Sequence, residues 1–148
     1  MPIDPTLLEI HAHEAPAYRP LVDHGAWRVA VLNHCEQLEP DSLHDMQRHD
    51  ETDEVFVLLR GRCILFVGDG RGAGDAGTIH AADLEAGRVY NVKRGVWHNH
   101  ALSRDASVLV VENRDTTRDN SPFCDLTKAQ IAALRGHVAR LWPVPDPA

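Results

Sequence analysis

Short apolar segments, most of them bounded by Gly, Asp or Asn, recur through the middle of the chain and predict a series of β-strands. The predicted strands lie in WRVAVLN (27–33), EVFVLLRG (54–61), RCILFVGDG (62–70), GTIHAADLEAG (77–87), RVYNVKRG (88–95), VWHNHALS (96–103) and ASVLVVEN (106–113). No helical pattern separates these segments, which argues against an α/β fold. The pattern therefore predicts an all-β sandwich or barrel.

The segment from Thr127 to Trp142 has a different period and predicts a C-terminal α-helix. Its apolar positions recur at helical spacing, at Ile131, Leu134, Val138 and Leu141. Thr127 and Gln130 have the spacing of a capping box at the helix start. Pro143 directly follows the predicted helix, as expected beyond a helix end.

A chain of 148 residues suits one domain with a substantial core, and we predict a single domain over residues 1–148. Within it we expect an N-terminal arm (1–26), a β-barrel core (27–113) and a helical tail (114–148). Prolines in the arm favour an extended conformation, with an edge strand as the alternative. The segment Gly68–Gly77 contains five of the ten glycines and predicts an exposed, mobile hairpin loop remote from any chemistry.

Composition and charge exclude several classes of function. The net charge of −7 argues against a general nucleic-acid binder, which needs clustered Lys and Arg. No apolar run approaches the roughly 20 residues of a membrane span, and no secretory signal pattern is visible at the N-terminus. A cytoplasmic location is therefore expected. The widely spaced cysteines Cys35, Cys63 and Cys124 are predicted to be free thiols.

Histidine is the unusual residue, with ten in the chain. Because side chains alternate along a strand, His98 and His100 are expected on one face. His49 lies five positions before Glu54, an odd number, so both can point inward only if the segment between them bends. Two imidazoles and a carboxylate are a chemically sensible set of metal ligands.

These segments resemble the motifs of the cupins, which are small double-stranded β-helix, or jelly-roll, proteins. His49, Glu54 and Gly61 match the second half of the first cupin motif. Gly87, Gly95 and His98 match the second motif in register. The resemblance covers about half of the chain and implies a jelly-roll barrel with the C-terminal helix added to it.

The resemblance also implies a divalent metal ion, of which Zn, Fe, Mn and Ni are the candidates. In the family, three histidines and one glutamate bind the metal, and three of these positions carry over as His49, Glu54 and His98. Gln47 occupies the position of the remaining histidine. We expect Gln47 to be a weak fourth ligand or a partner of bound water, and His100 to be a ligand, a partner of a ligand or a core residue.

The fold does not select among the reactions of the family. The leading interpretation is a metal-dependent enzyme acting on a polar small molecule, of the dioxygenase, isomerase or lyase class. The alternatives are a non-catalytic ligand-binding or sensor module, and a structural dimer whose histidines only form hydrogen bonds. The resemblance also implies a homodimer, because cupins commonly pair through sheet edges.

Overall fold

Residues 3–145, which the computed structural model describes, form two five-stranded antiparallel sheets and one α-helix. The strands are β1 (Ala17–His24), β2 (Trp27–Asn33), β3 (Asp45–Gln47), β4 (Glu54–Arg60), β5 (Cys63–Gly68), β6 (Ile79–Asp83), β7 (Tyr90–Val92), β8 (Trp97–Leu102), β9 (Ser107–Asn113) and β10 (Phe123–Asp125). The helix α1 spans Lys128–Leu141, and short 3-10 helices span Glu36–Leu38, Pro40–Ser42 and Arg118–Asn120. The strand order is β1-β2-β9-β4-β7 in the first sheet and β10-β3-β8-β5-β6 in the second.

The main core lies between the two sheets, and strand alternation fills it. On β4, Phe56 and Leu58 point inward, and β9 contributes Val108 and Val110 in register with them. Leu65 on β5 adds to this cluster from the second sheet. These positions are apolar because each side chain is buried, and burial of such side chains contributes roughly 1.5–3 kcal/mol each.

A second core lies on the outer face of the second sheet, where α1 covers it. Phe66 and Trp97 pack there with Leu134, which is the fully buried residue of the helix. The strand β5 is therefore buried on both faces, which explains its nearly continuous apolar run. Trp97 is a packing residue, as the alternation of β8 predicts.

The predicted helix and its capping box are confirmed. The Thr127 hydroxyl accepts a hydrogen bond from the backbone N–H of Gln130, and the Gln130 side chain accepts one from the backbone N–H of Thr127. Both interactions satisfy N–H groups that the first turn leaves without helical partners.

The sheets extend past both predicted limits of the barrel core. β1 lies before residue 27 and pairs with β2 at the edge of the first sheet. The alternative prediction for this segment, an N-terminal edge strand, is therefore the correct one. β10 lies within the predicted helical tail and pairs with β3. A three-residue strand has too few positions to show a period of two in the sequence.

The glycine-rich segment is the predicted hairpin loop between β5 and β6, exposed at its centre but attached to the core at one end. Ala76 is buried in the core beneath α1. The Gln130 side chain donates hydrogen bonds to the Asp75 carboxylate (3.1 Å) and the Gly77 carbonyl (2.9 Å). The second half of the loop is thus attached to the helix. Only the tertiary structure creates this contact.

Gly61 makes the turn between β4 and β5, and we predict that Gly61→Ala is strongly destabilising. Its φ of +69° is unfavourable for a residue with a side chain, and an added Cβ would lie 2.6 Å from the Ala106 Cα. The left-handed conformation alone costs about 1–3 kcal/mol. Urea denaturation should show this loss, whereas Gly136→Ala, at an open helical position, should be neutral or stabilising.

No helix within the described part of the chain is both long and apolar enough to cross a membrane.

Candidate metal centre

Three buried side chains, His49, Glu54 and His98, converge at one end of the barrel. Each offers a ligand atom, and these atoms all lie within 4.8 Å of one another. Glu54 is the first residue of β4 and His98 the second of β8, both facing inward. His49 follows β3, and a bend at residues 50–51 turns the chain between it and Glu54. The structure thus brings together the three residues that the motifs select.

One oxygen of Glu54 is the centre of this cluster. Glu54 Oε2 lies 2.9 Å from Nε2 of His49 and 2.8 Å from Nε2 of His98. The exposed fractions of His49, Glu54 and His98 are 6%, 6% and 1%, so bulk water does not satisfy these atoms. A buried carboxylate needs a positive or hydrogen-bonding partner, and both imidazoles are placed to supply one.

The other nitrogen of His98 determines what Nε2 can do. Nδ1 lies 2.9 Å from the carbonyl oxygen of Val96, which can only accept a hydrogen bond. A neutral His98 therefore has its proton on Nδ1 and a lone pair on Nε2. That lone pair faces the carboxylate oxygen of Glu54, so a proton or a metal cation must lie between them.

His49 is held in the same way from the opposite side of the site. Its Nδ1 lies 2.7 Å from the Ser121 hydroxyl, which donates to the Asn120 side-chain oxygen at 3.3 Å. The Ser121 oxygen thus accepts the Nδ1 proton, and Nε2 of His49 also turns its lone pair to Glu54. Outer partners that fix imidazole orientation in this way are typical of metal sites.

The pKa shifts in the metal-free protein agree with a place for a cation beside Glu54. Burial alone raises the pKa of Glu54, but hydrogen bonds to His49 and His98 outweigh it and hold that pKa well below its usual range. Burial lowers the pKa of His49, yet the Glu54 carboxylate outweighs this and leaves the pKa raised. The raised pKa of His49 therefore favours its protonated form beside the Glu54 carboxylate.

The spacing of the three donors suits a metal ion. Ligand atoms at ~2.0–2.2 Å from an ion lie about 3.0 Å apart when they are neighbours at right angles. The 2.9 and 2.8 Å separations around Glu54 match that value. Glu54 and either imidazole are therefore at the spacing of two ligands of one ion, and all three ligand atoms lie within 4.8 Å of one another.

Glu112, on β9, is a fourth buried group at the site, and the sequence analysis missed it. Its Oε2 lies 3.9 Å from Nε2 of His49, and its Oε1 accepts a hydrogen bond from the Tyr18 hydroxyl. Burial and the charge of Glu54 raise the pKa of Glu112. The signal was present in the sequence, because Glu112 continues the inward alternation of Val108 and Val110. Ser121 and Tyr18 gave no such signal, since the fold alone brings them to the site.

Gln47 and His100 take different places around the centre. Gln47 pairs with His98 across β3 and β8, so both side chains are on the same face. His100 is 7% exposed, its ring centroid is 5.6 Å from that of Phe56, and its Nδ1 has no hydrogen-bond partner within residues 3–145. Burial lowers the pKa of His100 to about 4, so the ring is neutral at physiological pH.

A cavity of about 850 Å³ opens at this end of the barrel and contacts His49, Glu54, His100 and Glu112. Its volume falls within the range of small-molecule sites. The polar residues around the cavity are Tyr18, Glu36, Gln37, Ser42, His44, Asp45, Gln47, Asn99, Thr116, Thr117, Arg118 and Ser121. Apolar walls come from Leu32, Leu38, Leu43, Phe56, Val110 and Phe123.

Exposed hydrogen bonds beside the site connect the segment of the first motif to the segment of the second. The Asp53 carboxylate accepts hydrogen bonds from the Lys93 ammonium (2.6 Å), the Asn91 amide (3.0 Å) and the Arg94 backbone N–H (2.7 Å). These interactions, that of Lys93 first, lower the pKa of Asp53 to about 2. They attach the residue before Glu54 to the turn that leads into β8 and His98.

Comparison with solved structures identifies the fold. A cupin-2 domain protein from Shewanella frigidimarina is 19% identical over 74% of this chain and 87% of its own, with a TM-score of 0.49. A 3,4-ketoisomerase from Helicobacter canadensis is 18% identical over 64% of this chain and 66% of its own, with a TM-score of 0.50. No protein-family model and no curated protein sequence matches the chain. The chain has the cupin fold, which confirms the predicted fold class.

Metal binding at this site is predicted to weaken as the pH falls. The His49 nitrogen must lose its proton to bind an ion, and its raised pKa means that protons compete above the ordinary value of about 6.5. The apparent affinity should therefore decrease by up to about tenfold per pH unit for each proton displaced. Competition with a chelator between about pH 8 and pH 5 measures this slope, and a flat profile would contradict it.

Proposed function

We propose that the protein is a metal-dependent enzyme that acts on a polar small molecule in the cavity. His49, Glu54 and His98 would hold the divalent ion. The observation that supports this most directly is the orientation of His98, whose Nδ1 faces the Val96 carbonyl and whose Nε2 faces the Glu54 carboxylate. When bound, the ion would act as a Lewis acid toward a substrate oxygen or a water molecule.

The residues around the centre would bind and orient the substrate. Among the described residues, Nδ1 of the neutral, buried His100 ring has no partner, so it can hydrogen-bond a hydroxyl or carbonyl group of a substrate. Gln47 contacts the same cavity with an amide that both donates and accepts. The cavity is lined by the acidic Glu36 and Asp45 and by the basic Arg118, a polar lining that suits a polyhydroxy or carbonyl compound. One solved structure of the same fold is a 3,4-ketoisomerase, but fold alone does not transfer its reaction.

The proposal is tested with protein depleted of metal and then loaded with Zn, Mn, Fe(II) or Ni. Both forms are screened against aldoses, ketoses and hydroxy acids by thermal shift, and bound compounds are followed by NMR for conversion. We expect at least one of these classes of compound to stabilise only the metal-loaded protein and to be converted by it. His98→Ala is the control. Binding without conversion would support the ligand-binding module, and equal binding by both forms would contradict a metal-dependent function.

We also propose a cytoplasmic location and a homodimer. The free thiols of Cys35, Cys63 and Cys124 are typical of a reducing compartment. Within residues 3–145, the edge strand β1 pairs only with β2, and the arm before it exposes Leu7 and Ile10. Long unpaired edges and exposed apolar side chains favour association.

The predicted dimer has a mass of about twice the 16.4 kDa of the chain, which light scattering at micromolar concentration would measure. Replacing both Leu7 and Ile10 by serine should weaken the dimer, because their exposed fractions of 81% and 84% leave this apolar surface free for a partner. A monomer in the wild type would contradict the prediction.

A further inference from the structure

Glu112 and Glu54 are neighbouring carboxylates on adjacent strands. Val55 pairs with Val111 and Phe56 with Val110, so the same register places Glu112 beside Glu54 on the inner face. Both residues are buried, with exposed fractions of 7% and 6%. Like charges at facing positions of a sheet destabilise it, and burial strengthens the repulsion. Such a pair needs a positive charge near it.

The charge of Arg28 lowers the pKa of Glu112, but less than burial and the charge of Glu54 raise it. Arg28 pairs with Glu112 across β2 and β9, but its guanidinium donates to the Asp23 carboxylate at 2.7 and 3.1 Å. Tyr18 donates to Oε1 of Glu112, which leaves Oε2 directed toward His49. Partial burial and Glu112 raise the pKa of Tyr18, so its hydroxyl keeps the proton that it donates. A hydrogen bond that orients a carboxylate in this way is typical of metal ligands.

We propose that Glu112 is the fourth protein ligand of the metal ion and replaces the ligand that Gln47 cannot supply as an imidazole. This inference rests on the proposed function, because it requires the ion held by His49, Glu54 and His98. The 3.9 Å between Glu112 Oε2 and His49 Nε2 exceeds the about 3.0 Å of ligands at right angles but is below the roughly 4.2 Å of ligands on opposite sides of one ion. Glu112 lies outside the group of His49, Glu54 and His98, so its carboxylate must move toward the ion to bind it.

Four such ligands would also select the class of metal. Two imidazoles and two carboxylates form a nitrogen and oxygen set with two negative charges, which neutralises a divalent ion. Compared with three imidazoles and one carboxylate, this set has one more carboxylate and therefore favours Mn²⁺ and Fe²⁺ more. Gln47, the competing candidate, offers only a neutral amide oxygen.

The experiment compares Glu112→Gln with Gln47→Ala and Tyr18→Phe in the full chain. Glu112→Gln keeps the size of the side chain but removes the charged ligand. Glu85→Gln removes the same charge at an exposed turn and serves as the matched control. Mn²⁺ affinity is measured by EPR, the visible spectrum of the Co²⁺-loaded protein reports its ligands, and circular dichroism confirms folding.

We expect Glu112→Gln to lower Mn²⁺ affinity by at least about 100-fold and to change the Co²⁺ spectrum. Tyr18→Phe should lower affinity by about tenfold, as for an outer partner, and Gln47→Ala and Glu85→Gln should keep the wild-type spectrum. An unchanged Co²⁺ spectrum in Glu112→Gln, or a changed one in Gln47→Ala, would overturn the proposal. A wild type that binds no ion would instead overturn the proposed function and this inference together.

Discussion

Glu54→Gln is expected to remove nearly all metal binding. The substitution keeps the shape of the side chain but replaces the oxygen that lies 2.9 and 2.8 Å from the two imidazoles with a neutral amide. Loss of an outer partner of a metal site costs about 10–100-fold in affinity, so loss of the shared central ligand should exceed about 100-fold. Isothermal titration with Zn²⁺ and Mn²⁺ measures the change.

The control for Glu54→Gln is Glu85→Gln, which changes the net charge equally but lies on an exposed turn. The control should bind metal as the wild type does. Wild-type affinity in Glu54→Gln, with the protein folded by circular dichroism, would show that Glu54 is not a ligand. The cluster would then be a hydrogen-bonded group of buried side chains.

Phe56→Ala is expected to cause the largest loss of stability. Phe56 is 1% exposed in the core between the sheets, and its ring centroid lies 6.1 Å from that of His98. Replacing a buried Phe by Ala typically lowers the free energy of unfolding by about 3–5 kcal/mol. Urea denaturation of the metal-free protein measures this, since bound metal would stabilise the folded state separately.

Leu59→Ala is the matched control for Phe56→Ala, because Leu59 is on the same strand but 52% exposed. Leu59→Ala should change the free energy of unfolding by no more than about 0.5 kcal/mol, as for ordinary surface substitutions. Equal losses in the two variants would contradict the assignment of the core to the inner face of β4.

The strands and the three-residue site were predictable because each depends on local patterns. Strand alternation placed His98 and His100 on one face, and the motif spacing selected His49, Glu54 and His98. The bend between His49 and Glu54 followed from the odd number of residues between two inward side chains. These features need no knowledge of which strands pair.

The rest of the site depends on pairing that the sequence does not display. Ser121 reaches His49 from 72 residues away, and Glu112 lies beside Glu54 only because β9 pairs with β4. Tyr18 contacts Glu112 from β1, a segment that the sequence predicts as an extended arm with an edge strand as the alternative. Pairing between distant strands therefore determines which residues surround the site. The local sequence pattern determines its three central residues, His49, Glu54 and His98.

The most direct test of the account is the metal content of protein purified without a histidine tag, measured by mass spectrometry. The account predicts one divalent ion per chain in the wild type after incubation with Zn, Fe(II), Mn or Ni and removal of excess metal. His98→Ala should retain little metal while circular dichroism shows it folded. A wild type that takes up none of these ions, or a His98→Ala variant that retains a full complement, would contradict metal binding by His49, Glu54 and His98.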